Sequence, residues 1–333
     1  PYELLTNVFG IAGDRISATI FEGDDKIPFD QESYYAWSKF LPANRITRGS
    51  RADNVWGPAG PEGPCGAANE VYVDDLEIAT LVFMEYNSAK DGGLTLLPAK
   101  GVDVGFGFER IVKTIQNTKT IFDIDLLKPF VEYLPKELAE RVKRVIVDHL
   151  RASIFLISDG VRPSNKEAGS ILRRLLRKLF MYEKNLPKHM FDRLLCSIVQ
   201  EYGTWYPELI TNSDNIVNEF TIERGTYVRT MEKAYEEFKR RLGEKGILTT
   251  ADVFDLKQSF GLSKEQSLET IHDMMSAMDD TASRLKFDEN EFGELIKKHQ
   301  EISRAGVEKK FGGHGLLLDT GELKAGSEEE LKK

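Results

Sequence analysis

The stretch GVDVGFGFERIVKTIQ, residues 101–116, is a strand-like run that reaches two glycines and then continues into a helical pattern. Backbone without side chains at Gly105 and Gly107 can approach a flat or anionic ligand closely. Arg110 follows with a planar cation that can stack on a nucleobase or grip a phosphate. Taken alone the string is not specific, because paired glycines before a helix more often serve a tight turn.

Apolar segments bounded by turn residues fill the first part of the chain around this stretch. Such segments predict buried or half-buried strands. They are RISATIF at 15–21, NEVYV at 69–73, IATLVFMEY at 78–86 and GLTLLPAKGVDVGFG at 93–107. A mixed, largely antiparallel sheet is therefore predicted up to about residue 134.

Beyond Pro135 the apolar residues recur every three or four positions, which is typical of amphipathic helices. Helices are predicted over 136–158, 166–183, 188–202, 213–243, 263–283 and 288–304. The predicted fold class is therefore α+β. Its domains are a sheet-containing domain at 1–134, a helical domain at 135–305 and a linker at 306–333.

The composition, 41% hydrophobic and 30% charged over 333 residues, is typical of a soluble globular protein with two domains. No apolar stretch approaches the roughly 20 residues of a membrane span, so a cytoplasmic location without a membrane partner is expected. Cys65 and Cys196 form no CxxC pair, and the five histidines lack metal-ligand spacing. Free thiols, no structural zinc and no metal site are therefore predicted.

The segment DNVWGPAGPEGPCG, residues 53–66, is dense in glycine and proline and is predicted to be an irregular loop. Long irregular loops in compact domains are often functional. The alternative is a rigid connector with Trp56 packed in the core. Composition alone does not separate these two interpretations.

A strongly basic helix is predicted after Pro163-Ser164-Asn165, although the net charge of the chain is −9. Such a stripe of cations is a candidate contact for a phosphate backbone. Its alternative is an ordinary solvated helix face. The cations from 162 to 188 are Arg162, Lys166, Arg173, Arg174, Arg177, Lys178, Lys184 and Lys188, against the two anions Glu167 and Glu183.

These segments, in this order and at these separations, resemble the alanine–tRNA ligases, a family of class II aminoacyl-tRNA synthetases. GFGFER at 105–110 is similar to the family's class II motif 3, and GPEGPCG at 60–66 to its glycine-rich active-site loop. VDHLRASIFLISDGVRPSN at 147–165 is similar to a stretch specific to the family. SRAGVEKKFGGHG at 303–315 resembles the passage that leads toward its editing domain.

The resemblance implies a two-step reaction with alanine, ATP and Mg²⁺ as a substrate complex, and the acceptor stem of tRNA(Ala). The alanine carboxylate attacks the α-phosphate of ATP, and the terminal ribose hydroxyl of the tRNA then takes the aminoacyl group. Catalysis then rests on positioning and on stabilising phosphate charge. Arg110 corresponds to the arginine that holds ATP, with Gly105 and Gly107 as the floor of the site.

An alanine pocket is also implied, with Asp103 as the carboxylate that pairs with the alanine ammonium group. Trp56 and Val82 correspond to walls around the methyl group, and Gly105 lies beneath the substrate. A buried carboxylate that waits for a cation fits Asp103, since burial without a partner is costly. The structural alternatives are Val82 as strand core, Trp56 as packing and Asp103 as a turn or cap residue.

For tRNA, the family reads a wobble pair with an asparagine that corresponds to Asn165 and an aspartate from a later helix. A short polar side chain can reach base edges in the shallow minor groove of RNA. The position aligned with that aspartate is Gln258, which still donates and accepts hydrogen bonds. The phosphate contacts are expected from Arg173, Arg174 and Arg177.

Several features depart from the family pattern. Ala79 and Thr80 replace the usual Trp-Asn pair, Val104 replaces a threonine, and motifs 1 and 2 would precede Pro1. The piece alone is therefore expected to be inactive, completed by a missing N-terminal segment or another polypeptide, with the editing domain also outside it. A non-catalytic tRNA-binding paralogue is the alternative function.

Overall fold

The computed structural model of the chain describes residues 1–277 and 284–311. Its residue contacts divide the described chain into two units, Pro1–Pro129 and a second unit that begins at Phe130. The first unit contains a sheet with a few short helices, and the second is built almost entirely of helices. The predicted α+β fold class is confirmed.

The sheet of the first unit has six strands in the order β2-β1-β4-β5-β6, with the short strand β3 also paired to β4. The β1 and β2 strands are parallel, and the other neighbours are antiparallel. The predicted mixed, largely antiparallel sheet is therefore correct. The strands are β1 (Ile16–Phe21), β2 (Ile46–Gly49), β3 (Val55–Trp56), β4 (Gly63–Val73), β5 (Leu76–Ser88) and β6 (Leu94–Phe106).

One face of this sheet is apolar because alternate residues of the strands point to the same side. Ala18, Val71, Ala79 and Leu81 are all buried in one hydrophobic cluster. Ala79 lies directly opposite Phe106 of β6, whose ring packs against the same cluster. The family resemblance leads us to expect a larger side chain at position 79, and Phe106 packs where Ala79 leaves room.

Helices close the apolar face and also carry side chains toward the strands. Trp37, at the end of α1, donates a buried hydrogen bond of 3.0 Å from Nε1 to Asn69 Oδ1 of β4. The third helix begins after Gly107 and ends at Gln116, followed by the cap residue Asn117 in the left-handed conformation at φ 51°. The helices are α1 (Gln31–Trp37), α2 (Arg51–Asn54), α3 (Phe108–Gln116) and α4 (Lys128–Tyr133), the last of which crosses the unit boundary.

The second unit contains eight further helices and a two-stranded parallel sheet among the residues described. Buried apolar residues recur along the helices at helical spacing, as in Ile146, Leu150, Ile154 and Ile157 of α5. The elements are α5 (Glu140–Ser158), α6 (Glu167–Glu183), α7 (Met190–Gly203), α8 (Pro207–Thr211), α9 (Ser213–Lys245), β7 (Leu248–Thr249), α10 (Thr250–Phe260), α11 (Lys264–Ala277), β8 (Leu285–Lys286) and α12 (Glu289–Phe311).

The structure differs from the prediction at two boundaries, the end of the last helix and the start of the linker. The helix predicted over 288–304 continues to Phe311, so the first residues of the predicted linker at 306–333 are helical. The remainder of that linker, and the end of the segment 303–315, lie outside the described residues, as does 278–283. None of the helices that the structure describes is long and apolar enough to cross a membrane.

Candidate functional site

The face of the sheet opposite the apolar cluster carries a row of polar side chains from three neighbouring strands, which ends beside a glycine of the fourth. Thr19 pairs with Glu70, Glu70 with Thr80, and Thr80 with Gly105. Residues directly opposite each other on antiparallel strands point to the same face. The row therefore crosses β1, β4 and β5 as one polar strip and ends at Gly105 of β6.

Four residues predicted for an alanine pocket lie on this same face. Val82 is the register partner of Asp103, two residues along their strands from the pair Thr80 and Gly105. Trp56 of β3 is paired with Gly66 of β4. Gly66 lies on the same face of the sheet as Ala68, the β4 residue that is paired with Val82. The structure thus brings residues from three separate sequence segments to one side of the sheet.

The exposure of these residues decides between several alternatives. Val82 is 4% exposed and lies outside the apolar cluster of the opposite face, whereas Trp56 is 41% exposed and is not packed in the interior. Asp103 lies within β6 rather than in a turn or cap, so that alternative is wrong. The expectation of a buried Asp103 carboxylate is also wrong, because the Asp103 residue is exposed to solvent.

The two glycines of the motif differ in what surrounds them. A Cβ atom added to Gly105 would meet nothing within 4 Å, so no packing within the protein requires glycine there. At Gly107 a Cβ atom would lie 3.0 Å from Cδ of Arg110. Gly105 therefore leaves open space above the strand, and Gly107 makes room for the arginine stem.

Arg110 is held beside the polar strip by Glu77 of β5. Its Nη1 donates to both the backbone oxygen and Oε2 of Glu77, at 3.0 Å each. Thr80 Oγ1 donates to the other carboxylate oxygen of Glu77 at 2.8 Å. The guanidinium is therefore oriented by the strand that carries Thr80 and Val82, and the Arg110 side chain as a whole is 34% exposed.

A hydrogen-bonded network on this face has no counterpart among the sequence predictions. Glu70 Oε2 accepts from the Tyr72 hydroxyl at 2.6 Å and from Thr19 Oγ1 at 3.2 Å. The buried Asn54 donates to Thr19 at 2.9 Å. Burial, with the neighbouring Glu70, raises the pKa of Tyr72 above its usual range. The alternation of Glu70 and Tyr72 in an otherwise apolar strand is the signal that could have predicted it.

The glycine- and proline-rich segment 53–66 is less irregular than predicted. Its start completes α2 and forms β3, and β4 already begins at Gly63. Only 57–62 remains outside helix and strand. The prediction failed because Gly66 permits close strand approach, since a Cβ atom there would lie 1.9 Å from the backbone oxygen of Phe83.

The second unit gathers the residues predicted to read tRNA. Arg173 of α6 donates to Asn165 Oδ1 and, at 3.1 Å, to the backbone oxygen of Pro163. Arg177, one turn later, donates to the backbone oxygens of Phe260 and Gly261 at 3.3 Å each. The loop with Asn165 and the end of α10 are therefore both bound to α6.

Gln258 and Arg174 are exposed in this unit, whereas Arg173 and Arg177 are largely enclosed. The two enclosed arginines also contact the buried Glu223 of α9. Their positive charge is therefore partly neutralised within the protein. Of the three arginines predicted to contact phosphates, Arg174 is the one that is exposed.

Among the described residues, no group of three or more acidic, cysteine or histidine side chains is placed to hold a metal ion.

The sequence of the chain is similar to a known protein family and to several known proteins. A family model described as class II (A) tRNA synthetases matches residues 1–328. Three similar curated proteins are alanine–tRNA ligases. That of Borrelia garinii subsp. bavariensis is 33% identical over 94% of this chain and 57% of its own length. That of Cytophaga hutchinsonii is 33% identical over 78% and 34%. That of Thermotoga maritima is 30% identical over 92% and 38%.

Proposed function

The chain belongs to the class II (A) tRNA synthetase family, and on that premise we propose that it serves to attach alanine to tRNA(Ala) at the expense of ATP. It spans 57% or less of the length of the alanine–tRNA ligases compared above. The observation that carries the proposal is the shared sheet face of Trp56, Val82, Asp103 and Gly105, beside which Arg110 is held.

In the proposed first step, the alanine carboxylate attacks the α-phosphorus of ATP and pyrophosphate leaves with the Mg²⁺ that ATP brings. Arg110 stabilises phosphate charge, since Glu77 orients its guanidinium through two hydrogen bonds and about a third of the side chain is exposed. The open space above Gly105 lets a substrate lie against the strand. These residues bind and orient the reactants, which accounts for most of what such a reaction requires.

The amino acid would bind with its ammonium group at Asp103 and its methyl group toward Val82 and Trp56. Val82 and Asp103 are direct cross-strand partners, so one short molecule can contact both. The exposed indole of Trp56 supplies an apolar surface on the same face. Contact energy alone discriminates poorly between side chains that differ by one small group.

In the proposed second step, the second unit binds the acceptor stem of the tRNA. Asn165 presents a short polar side chain for base edges, and Gln258 an exposed amide at the end of α10. Arg174 provides a solvent-directed cation for a phosphate. Glutamine at position 258, in place of the family's aspartate, favours the second candidate function, a tRNA-binding protein without ligase activity.

Alanine-dependent exchange between ATP and pyrophosphate tests the first step in the complete natural polypeptide. Asp103→Asn should raise KM for alanine about 10- to 100-fold, because a charge-assisted hydrogen bond is lost. The matched control is Asp75→Asn, at the exposed turn between β4 and β5, where φ is 65° and asparagine is tolerated. Exchange that is absent, or equally affected by both variants, contradicts the proposed site.

A further inference from the structure

Glu223 of α9 is a buried carboxylate that contacts two arginines from successive turns of α6. It is 3% exposed, and its Oε1 accepts a hydrogen bond from Arg177 Nε at 3.2 Å. Nε of Arg173 lies at the same distance from this oxygen but is not aligned for a hydrogen bond. One oxygen therefore contacts the side chains of two arginines whose backbone positions are about 6 Å apart along the helix axis.

Each of these arginines uses its other nitrogen atoms to bind a different polar segment. Arg173 donates to the side chain of Asn165 and to the backbone of Pro163. Arg177 donates to the backbone oxygens of Phe260 and Gly261, which follow Gln258 closely. The carboxylate thus fixes, through two rigid forks, both segments that carry the proposed base-reading side chains.

Burial of the Glu223 carboxylate costs free energy, and the benefit that can offset this cost is the fixed position of the two arginines. A buried carboxylate needs partners, and two arginines that partner it are weakened as phosphate ligands. Both arginines are mostly enclosed, with side chains 23% and 13% exposed. Attraction to a phosphate backbone can be left to exposed cations such as Arg174. The enclosed pair serves to hold Asn165 and the end of α10 in register.

We propose that Glu223 is a positioning residue for recognition of the acceptor stem, acting through Arg173 and Arg177 on Asn165 and Gln258. The inference rests on the proposed function of the second unit. It distinguishes two roles along one basic helix: Arg174 contributes affinity, and the pair held by Glu223 contributes selectivity. A base contact depends on position to within a fraction of an ångström, whereas a phosphate contact tolerates movement.

The test is binding of two acceptor-stem RNA hairpins to the 333-residue chain, one with the wobble pair and one with a Watson–Crick pair in its place. Each affinity is measured over a range of salt concentrations. Glu223→Gln should reduce the ratio of the two affinities about tenfold, since the positioned contacts to base edges are lost. The salt dependence should not become shallower, because no phosphate-binding cation is removed.

The matched control is Glu183→Gln, which removes the same charge and releases Arg224, which its carboxylate binds at 3.0 Å, without touching Arg173, Arg177 or Asn165. It should leave the affinity ratio unchanged. If Glu223→Gln does not fold, Arg173→Lys tests the same contacts from the other side. Lysine keeps the charge but lacks the fork, so the ratio should fall while the salt slope stays constant.

The outcomes separate this inference from the function on which it rests. Wild-type chain that binds both hairpins equally overturns the proposed reading of tRNA and the role of Glu223 with it. Wild-type discrimination that persists in Glu223→Gln, or in Arg173→Lys, overturns the positioning role alone. A ratio lowered equally by Glu183→Gln does the same, because the effect would then follow from charge.

Discussion

Asp252→Asn should destabilise the second unit by an amount that the structure allows to be estimated. Asp252 is 1% exposed at the start of α10, where it forms a capping box with Thr249. Its carboxylate accepts hydrogen bonds from Lys245 at 2.5 Å and from Arg241 at 3.0 Å. Asparagine keeps the shape and one acceptor but removes the charge that both cations bind.

The pKa of Asp252 gives the magnitude. Burial opposes ionisation, but the hydrogen bonds from Lys245, Thr249 and Arg241 outweigh it and lower the pKa from 3.8 to about 2. At 1.36 kcal/mol per unit, the ionised carboxylate contributes about 2 kcal/mol to the free energy of unfolding. Because the folded-state pKa is the lower one, this contribution is complete above about pH 4 and is lost as the pH falls toward 2.

Urea unfolding followed by circular dichroism measures the difference. At pH 7 the Asp252→Asn chain should unfold with about 2 kcal/mol less free energy than wild type, and at pH 3 the difference should shrink to about half. Asp255→Asn is the matched control on the same helix. Asp255 also contacts Arg241, at 3.4 Å, but is 58% exposed, so its loss should cost at most about 0.5 kcal/mol. Equal losses in both variants, or a difference independent of pH, would refute the reasoning.

Three further predictions concern the sheet and the basic helix. Gly105→Ala should leave stability unchanged or raise it by about 0.5 kcal/mol, because its Cβ meets nothing, yet should lower pyrophosphate exchange about tenfold or more. Gly66→Ala should instead cost about 2 kcal/mol in urea unfolding, because its Cβ would overlap the backbone oxygen of Phe83. Arg174→Gln should reduce the salt slope of tRNA binding by about 1 with stability within about 0.5 kcal/mol of wild type.

The strands and most helices could be predicted because their apolar periodicity is strong. Strand β6 and the helix after Gly107 follow directly from the motif at 101–116. Short elements were missed, since α1 and β2 depend on tertiary partners such as the buried bond from Trp37 to Asn69. Sequence periodicity carries no information about such long-range contacts.

The candidate site residues could be proposed from the sequence, but the arrangement of those residues in space could not. Strand register decides that Val82 faces Asp103, and a bulge between Val71 and Tyr72 shifts the pairing along β4 and β5. No local sequence pattern predicts that Glu77 orients Arg110, because the two residues are far apart in the sequence.

The same limit applies to the basic helix. Its run of cations predicts a phosphate-binding face. Only the fold shows that two of its arginines contact the buried Glu223.

The most direct test of the central claim is the charging of a tRNA(Ala) acceptor-stem hairpin with alanine by the complete natural polypeptide. We expect ATP-dependent attachment of alanine to the hairpin, and Asp103→Asn should reduce it by raising KM for alanine. Tight binding of the hairpin with no alanine attached, under conditions where a known alanine–tRNA ligase charges it, would contradict the account and leave a tRNA-binding protein.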